Sequence, residues 1–311
     1  MRVLITGGAG FIGSHLADRL LDRGDEVLVI DNFATGRREN LSPHPGLELV
    51  EGTIADEILV HSTVERFKPE VVVHAAAAYK DPNDWPEDVR TNALGTAHVV
   101  RAAKNVGVKR LVYFQTALCY GLYPKAQPIT LDHPLYPESS YAISKTAGEQ
   151  YIQHSGIDYI SFRLANAYGP RNVSGPLPTF YDRLSSGKRC FVMDTRRDFI
   201  FIDDLVKLVL MALDGQGESG VYHASSGSDY SIKELFDLTV SALGVTLAEP
   251  VEERPRGEDD AFTILIDPSK TIAIYGWTPQ VSLSEGVPRT VEWYGQRVIG
   301  QTYTHLKQVE E

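Results

Sequence analysis

Cysteine is nearly absent from this sequence, and its scarcity excludes several kinds of protein. Only Cys119 and Cys190 are present, with a spacing that fits neither a metal site nor a redox pair. So few thiols, with no pattern between them, are typical of proteins that work in a reducing compartment. We therefore expect no metal site and predict a cytoplasmic location.

Long hydrophobic runs and an excess of positive charge are also missing. No apolar stretch approaches the length of a membrane-spanning helix. A strand pattern begins at once, so we expect no signal peptide either. The formal net charge of −11 disfavours nucleic acids and anionic membranes as partners. An anionic substrate would therefore need a local cluster of arginines.

The sequence does contain enough apolar residues to bury a large core: 43% of 311 residues. Up to residue 165, short apolar runs alternate with helical patterns. Such alternation predicts an α/β fold with a doubly wound parallel sheet of the Rossmann type. The predicted strands cover 3–6, 27–30, 71–73, 111–114 and 157–162, and the predicted helices cover 11–23, 56–67, 91–106 and 139–154.

Beyond residue 165 this alternation breaks down, and loops rich in proline and glycine separate short elements. The change predicts a smaller α/β lobe that covers the carboxyl edge of the sheet and binds the substrate. A strand at 199–202 and the helix after it should return to the first lobe. We therefore predict interleaved lobes, the first formed by 1–165 and 199–224, the second by 166–198 and 225–311.

The first predicted strand runs into a glycine-rich loop that opens a helix. Gly7, Gly10 and Gly13 stand where the backbone must turn or approach a ligand closely. A helix N-terminus at such a loop presents N–H groups and a partial positive charge, which suits a pyrophosphate. The second strand ends at Asp31, where a dinucleotide fold places the carboxylate that binds the adenine ribose. This carboxylate would repel a 2′-phosphate, so the pattern predicts NAD rather than NADP.

The predicted strand at 71–73 ends in His74 and a run of small residues, Ala75, Ala76 and Ala77. Small side chains let a cofactor lie close to the backbone, so we expect NAD to cross this strand end. We interpret His74 as a packed, hydrogen-bonded core residue rather than a metal ligand or base.

Tyr141 and Lys145 are the candidate reacting pair. Positions four apart lie on one face of a helix, one turn from each other. The lysine charge should lower the phenol pKa, because it favours the phenolate. Such a tyrosine can remove a hydroxyl proton while hydride leaves the same carbon. The alternative, a surface pair, is less favoured beside a dinucleotide signature.

With the glycine loop and the Tyr141–Lys145 pair, the chain resembles the extended short-chain dehydrogenase/reductase family. Within it, the chain is similar to nucleotide-sugar 4-epimerases of the UDP-galactose and UDP-uronate type and to relatives in bacterial surface-polysaccharide gene clusters. The likeness runs nearly from end to end and implies NAD and a nucleotide-sugar substrate. Matching segments also include 31–33, 74–76, Asn92 with Gly95-Thr96, 163–170 and 197–200.

The resemblance implies roles for further residues. Thr116 would bridge the sugar 4-oxygen and Tyr141, and Asn166, Arg197 and Arg256 would bind the diphosphate. The implied NAD-binding residues, which include the Tyr141–Lys145 pair, are Gly7, Gly10, Phe11, Ile12, Gly13, Asp31, Asn32, Phe33, Gly36, Ile54, Ala75, Ala76, Ala77, Asn92 and Leu164.

The residues after Thr116 favour one reaction of the family. Family 4,6-dehydratases carry an Asp-Glu pair there, and decarboxylases carry Glu where Leu118 stands; this chain has Ala117-Leu118. Cys119 lies one position past the cysteine of 3,5-epimerases and should be a core thiol. We predict epimerisation at C4 through a transient 4-keto sugar. A ketoreductase, a 2-epimerase and a non-catalytic NAD sensor remain as alternatives.

Two of the predicted helices, 91–106 and 139–154, carry apolar positions on more than one face. In the family that the chain resembles, the corresponding helices pair with their copies in a four-helix interface. The resemblance therefore implies a homodimer through these helices.

Overall fold

The computed structural model describes residues 1–257, 260–297 and 299–303. Its strands are β1 (Arg2–Thr6), β2 (Glu26–Asp31), β3 (Leu47–Glu51), β4 (Val71–His74), β5 (Arg110–Thr116), β6 (Tyr159–Leu164), β7 (Asn166–Tyr168), β8 (Phe191–Met193), β9 (Arg196–Arg197), β10 (Phe199–Phe201), β11 (Gly220–Ala224), β12 (Tyr230–Ser231), β13 (Glu252–Arg254) and β14 (Thr263–Ile264). Its α-helices are α1 (Phe11–Asp22), α2 (Glu57–Phe67), α3 (Trp85–Asp88), α4 (Thr96–Val106), α5 (Ser140–Ser155), α6 (Pro176–Ser185), α7 (Ile202–Leu213), α8 (Ile232–Leu243), α9 (Ser269–Tyr275) and α10 (Leu283–Gly295).

Seven strands form one parallel sheet in the order β11-β6-β5-β4-β1-β2-β3. Helices cover both faces, which explains why the central strands are continuous apolar runs. In β1, for example, Val3 and Leu4 are both fully buried although their side chains point to opposite faces. Val3 packs in a core with α1 and α7, and Leu4 packs in a second core with α2 and α4. The predicted doubly wound sheet is confirmed.

The sequence prediction misses β3 and β11, which are the two edge strands of this sheet. In β3, Leu47 and Leu49 are only partly buried and alternate with Glu48, so no continuous apolar run marks the strand. β11 begins at Gly220 and contains His223 among its buried residues. Edge strands have fewer neighbours to cover them, so they lack the continuous apolar runs that mark the central strands.

The predicted strand at 199–202 does not join the large sheet. It corresponds to β10, which pairs in parallel with β7 in a separate two-stranded sheet. The helix that follows it, α7, packs beside α1, and β11 then extends the large sheet next to β6. The other short strands pair locally, β9 with β12 and β14, and β8 with β13.

The helix predicted at 91–106 begins earlier than expected. It starts as α3 at Trp85, passes through a π-helical turn at Val89–Gly95 and continues as α4. The extra residue in a π turn changes which side chains face inward, and such turns are frequent at functional sites. Here the turn contains Asn92, which is buried. No helix among the described residues is long and apolar enough to cross a membrane.

Candidate active site

The glycine loop between β1 and α1 has no room for side chains. Gly7 has a φ of +70°, and a Cβ there would lie 2.6 Å from the backbone nitrogen of Ala76. A Cβ on Gly13 would lie 2.3 Å from the carbonyl oxygen of Gly7. Helix α1 begins at Phe11, and among the described residues no side chain caps its first turn. Its N-terminal N–H groups and this bare backbone form a cradle that fits a pyrophosphate.

We expect Gly13→Ala to weaken NAD binding by about tenfold or more, because the methyl group would displace the Gly7 carbonyl from the cradle. Titration calorimetry with NAD would measure the change. Gly295→Ala is a matched control: like Gly13, Gly295 is a helical glycine without a positive φ, but a Cβ there would come no closer than 3.9 Å to another atom. An unchanged affinity in Gly13→Ala would contradict the assignment of this loop.

Asp31 ends β2 beside the glycine loop. Its Oδ2 accepts a hydrogen bond from the backbone N–H of Ala9 (2.8 Å), and its Oδ1 accepts one from Phe33 (2.8 Å). Burial raises the pKa of Asp31, and these two N–H groups act in the opposite direction. Gly36 lies against the same carboxylate, where a Cβ would be 2.9 Å from Oδ1. The carboxylate is thereby oriented where a ribose could reach it.

The two arginines that follow β2 have protein partners. Arg38 forms an ion pair with Glu51 (2.5 Å) and lies 4.6 Å from the centroid of the Phe33 ring. Arg37 donates to the carbonyl oxygen of Ile299, in the last described part of the chain. Both guanidinium groups are therefore engaged, which agrees with NAD rather than NADP.

The other predicted cofactor residues lie at the same edge of the sheet, because they follow the carboxyl ends of parallel strands. Asn92 reaches this edge from the π turn. Its Oδ1 accepts from the Ala78 N–H (2.8 Å), and its Nδ2 donates to the Ala78 carbonyl (2.9 Å) and to Ser144 Oγ (3.1 Å). The remaining members are Gly10, Phe11, Ile12, Asn32, Ile54, Ala75, Ala76, Ala77 and Leu164.

Tyr141 and Lys145 lie in the first half of α5. Ser139 caps this helix by accepting a hydrogen bond from the Ala142 N–H (3.2 Å). The Lys145 side chain is buried, and its Nζ lies 4.0 Å from the centroid of the Tyr113 ring. Burial lowers the pKa of Lys145 to about 7, and the Glu149 charge acts against that shift.

The predicted lowering of the Tyr141 pKa is wrong for the protein without bound NAD. Burial raises the pKa of Tyr141 above its ordinary value, and the neighbouring groups Tyr79 and Asp88 raise it further. Asp88 is a buried acid in α3, so its carboxylate opposes a second negative charge nearby. Helical spacing could not reveal either neighbour. The positive charge of an oxidised nicotinamide, when bound, is what would favour the phenolate.

Thr116 is the last residue of β5, between the ends of β4 and β6. Its Oγ1 accepts from the Leu118 N–H (3.1 Å), and Ala117 and Leu118 turn away into a short 3₁₀ segment. Cys119 is fully buried in the core, and burial raises the pKa of its thiol to about 12. The interpretation of Cys119 as a packed thiol is confirmed.

The three residues predicted to bind diphosphate form hydrogen bonds to backbone carbonyls and to one carboxylate. Arg197 donates to the Asp260 carboxylate and, through Nη1, to the Ala261 carbonyl (2.9 Å). Arg256 donates to the Asp260 carbonyl (2.9 Å). Asn166, which is exposed, donates through Nδ2 to the backbone of residue 198 (3.2 Å). Asp260 thus organises both arginines, a role that no sequence signal indicated.

His74 is a core residue, as predicted. It is fully buried, and its two ring nitrogens hydrogen-bond to Thr6 Oγ1 (2.6 Å) and Thr96 Oγ1 (2.8 Å). Burial lowers the pKa of His74 to about 3, and the Lys145 charge adds to this. The imidazole therefore stays neutral in the folded protein at physiological pH.

His74 should make folding stability sensitive to acid. Its contribution is fully present above pH 6.5 and is lost as the pH falls toward 3, because only the unfolded chain takes up the proton. The free energy of unfolding should fall by about 1 kcal/mol per pH unit in this window. We expect His74→Gln to flatten that slope in urea titrations at several pH values. His44→Gln, at an exposed histidine, should leave it unchanged; equal slopes in all three proteins would contradict the prediction.

Comparison with known proteins places this geometry in a family. The model of the NAD dependent epimerase/dehydratase family matches residues 3–225. The chain belongs to this family. Among solved structures, Bordetella bronchiseptica WbmH in complex with NAD+ is 53% identical, with a TM-score of 0.91 over 95% of this chain and 98% of that one. WbmG of the same organism, in complex with NAD and UDP, is 47% identical, with a TM-score of 0.92 over 99% of both chains.

Sequence relatives of the epimerase/dehydratase family agree with the structures. The UDP-glucose 4-epimerase of Mycolicibacterium smegmatis is 35% identical, in an alignment that covers 94% of this chain and 98% of the relative. The protein is therefore an enzyme of this family, and NAD as the cofactor is confirmed. The resemblance to nucleotide-sugar 4-epimerases is confirmed as well.

Proposed function

We propose that this enzyme epimerises a UDP-sugar at C4 through a transient 4-keto intermediate. One observation carries the proposal: Tyr141 and Lys145 share a face of α5, and the residues after Thr116 at the neighbouring strand end are the apolar Ala117 and Leu118. Tyr141 is then the proton-transfer group for a single carbon. Nothing beyond oxidation and reduction at that carbon is required of the site.

In this reaction Tyr141 removes the proton of the sugar 4-hydroxyl, and the Thr116 hydroxyl relays it. NAD, when bound, would supply the hydride acceptor and donor for C4, so the overall reaction is redox-neutral. Between the two transfers the 4-keto sugar rotates about its link to the diphosphate and presents its other face. Tyr141 then gives the proton back, and Lys145 supports the charge on the phenol oxygen.

Asn166, Arg197 and Arg256 would hold the diphosphate during this rotation. Guanidinium groups match phosphate oxygens with two parallel hydrogen bonds, which anchors the nucleotide while the sugar moves. Asp260 keeps Arg197 and Arg256 close to each other. We therefore propose that one of the two predicted lobes binds NAD and the other binds the nucleotide sugar. We also propose that the enzyme is cytoplasmic and works in polysaccharide biosynthesis.

The relatives support a UDP-sugar. WbmG has been crystallised with NAD and UDP, and several relatives are named UDP-glucose 4-epimerase. Others on the same scaffold are named UDP-glucuronic acid decarboxylase or dTDP-glucose 4,6-dehydratase. Those reactions need an acidic group beside the threonine, and Ala117 and Leu118 supply none. Epimerisation therefore fits this chain best.

The test is incubation of the purified enzyme with UDP-glucose, UDP-N-acetylglucosamine and UDP-glucuronate, without added NADH. We expect the C4 epimer of one of them in the NMR spectrum of the products. Inversion at C2 would instead identify a 2-epimerase. Consumption of added NADH without an epimer would identify a ketoreductase. NAD binding with no reaction on any of the three would favour a non-catalytic sensor.

We also propose a homodimer through the predicted helices 91–106 and 139–154, which correspond to the π turn with α4 and to α5. Large apolar side chains are exposed on α3, the π turn and α5, which lie side by side. Sedimentation should give twice the chain mass of 34.4 kDa, and a monomer at micromolar concentration would contradict this interface. The exposed residues are Trp85, Val89, Leu94, Ile143 and Tyr151.

A further inference from the structure

The Lys145 ammonium lies against the face of a buried aromatic ring. Its Nζ is 4.0 Å from the centroid of Tyr113, on the neighbouring strand β5. Both residues are almost completely buried, at 2% and 0% exposure. The face of an aromatic ring carries negative potential and attracts a cation, most strongly where water is excluded. The ring is therefore a source of stabilisation for the ammonium in a place where burial works against its charge.

Tyr113 is tied to the same helix that carries Lys145. Its hydroxyl donates to the carbonyl oxygen of Lys145 (3.0 Å). The helix can approach this closely because residue 148 is glycine: a Cβ there would lie 2.8 Å from the Tyr113 oxygen. The ring and the backbone of residue 145 are thus held in one geometry, so the ammonium meets the ring face in a defined position.

His74 supports the Tyr113 ring from β4, with 5.4 Å between the ring centroids. Thr96 donates its proton to the Asn92 carbonyl (2.6 Å), so the Thr96–His74 hydrogen bond is donated by Nε2 of the imidazole. Nδ1 then accepts from the Thr6 hydroxyl. This leaves the imidazole neutral, so no second positive charge competes with Lys145 for the ring.

Several charged and titratable groups surround Lys145. On its own helix are Tyr141 and Glu149, and the Glu149 carboxylate, which pairs with Arg163 of β6 (2.8 Å), also favours the ammonium. From β5 comes Tyr113 and from β4 the neutral His74. From the π turn and α4, the uncharged Asn92 and Thr96 lie against the same helix at Gly148.

We propose that Tyr113 is a positioning residue for Lys145: its ring face keeps the ammonium charged and in place beside Tyr141, and His74 keeps the ring in position. The role of Lys145 toward Tyr141 rests on the proposed function, whereas the contact between ring and ammonium does not. The two parts can therefore be tested separately.

The test titrates Lys145 directly. Protein labelled with ¹³C at the lysine ε-carbons is followed by NMR from pH 5 to 10, and the signal missing in Lys145→Arg assigns Lys145. Tyr113 is replaced by phenylalanine and by its mono-, di- and trifluorinated forms, which keep the ring shape but weaken its negative face. We expect Tyr113→Phe to titrate like the wild type. Fluorination should lower the Lys145 midpoint stepwise, by about one pH unit in the trifluorinated form.

A midpoint that stays constant across the fluorinated series would overturn the proposal. So would an equal shift in Tyr113→Phe and in the trifluorinated form, because the hydroxyl would then be responsible. The same series at Tyr222, whose ring lies 4.4 Å from Nζ of Lys270, is a matched control and should leave Lys145 unchanged. Fluorination preserves the packing of the ring, so the series stays informative where a smaller residue at position 113 would prevent folding.

Activity provides the second readout. If the proposed epimerase reaction holds, its rate falls as the pH rises through the Lys145 midpoint, and this alkaline limb should move with the NMR midpoint in each variant. If the alkaline limb of the pH–rate profile stays in place while the NMR midpoint moves, Lys145 does not stabilise the charge on Tyr141. If the enzyme has no epimerase activity, the proposed function is wrong. The NMR series would still show whether the Tyr113 ring stabilises the Lys145 ammonium.

Discussion

Tyr141→Phe is expected to lower kcat for epimerisation by about 10²–10⁴-fold while NAD stays bound. The change removes one oxygen atom, the group that takes the proton from the sugar hydroxyl and returns it. The aromatic ring itself stays, so packing at the start of α5 is preserved. The measurements are the initial rate by NMR and the NAD content of the purified variant.

A matched control for Tyr141→Phe exists on the same helix. Tyr151 is half exposed and lies away from the strand ends, and Tyr151→Phe keeps the apolar ring that it contributes to the proposed dimer interface, so this variant should keep full activity. A Tyr141→Phe enzyme within tenfold of the wild-type rate would remove tyrosine as the acid/base. An inactive variant that has also lost NAD would show that the hydroxyl serves cofactor binding instead.

Glu149→Gln is expected to destabilise the fold by about 3–5 kcal/mol, because it leaves the charge of Arg163 buried and unpaired. The carboxylate of Glu149 pairs with Arg163 Nη2 (2.8 Å) and accepts from Ser161 Oγ (2.5 Å), and both charged side chains are at least nine-tenths buried. Arg163 also donates to the Tyr120 hydroxyl (2.8 Å), which contacts His223 (2.6 Å). The pair thereby joins α5 to β6 and, through Tyr120, to β11.

Urea unfolding measures this loss, and two comparisons make the result specific. The double variant Glu149→Leu/Arg163→Met removes both charges and should recover most of the lost stability. Glu57→Gln breaks an exposed ion pair with Arg101 and should cost less than about 1 kcal/mol. If Glu149→Gln is as stable as Glu57→Gln, the prediction is wrong, because the structure has then rearranged to compensate the charge of Arg163.

The sequence predicted those parts of the fold that depend on short spacings. The five central strands, the glycine loop and Asp31 were found because each is marked by neighbouring residues along the chain: an apolar run, glycines at close intervals, an acid at a strand end. The Tyr141–Lys145 pair is local in the same sense. Parallel strands then bring these separate segments to one edge of the sheet, so the candidate site followed from the fold class.

By itself the sequence therefore determined the class of fold, the NAD cradle and the candidate proton-transfer pair, because local periodicity and residue type encode them. Only the tertiary structure decided the electrostatics. The raised pKa of Tyr141, the ion pair of Arg197 with Asp260 and the stacking of Lys145 on Tyr113 all arise between residues far apart in the chain. Burial and such contacts set the energy of a charge, and neither can be read from spacing along a sequence.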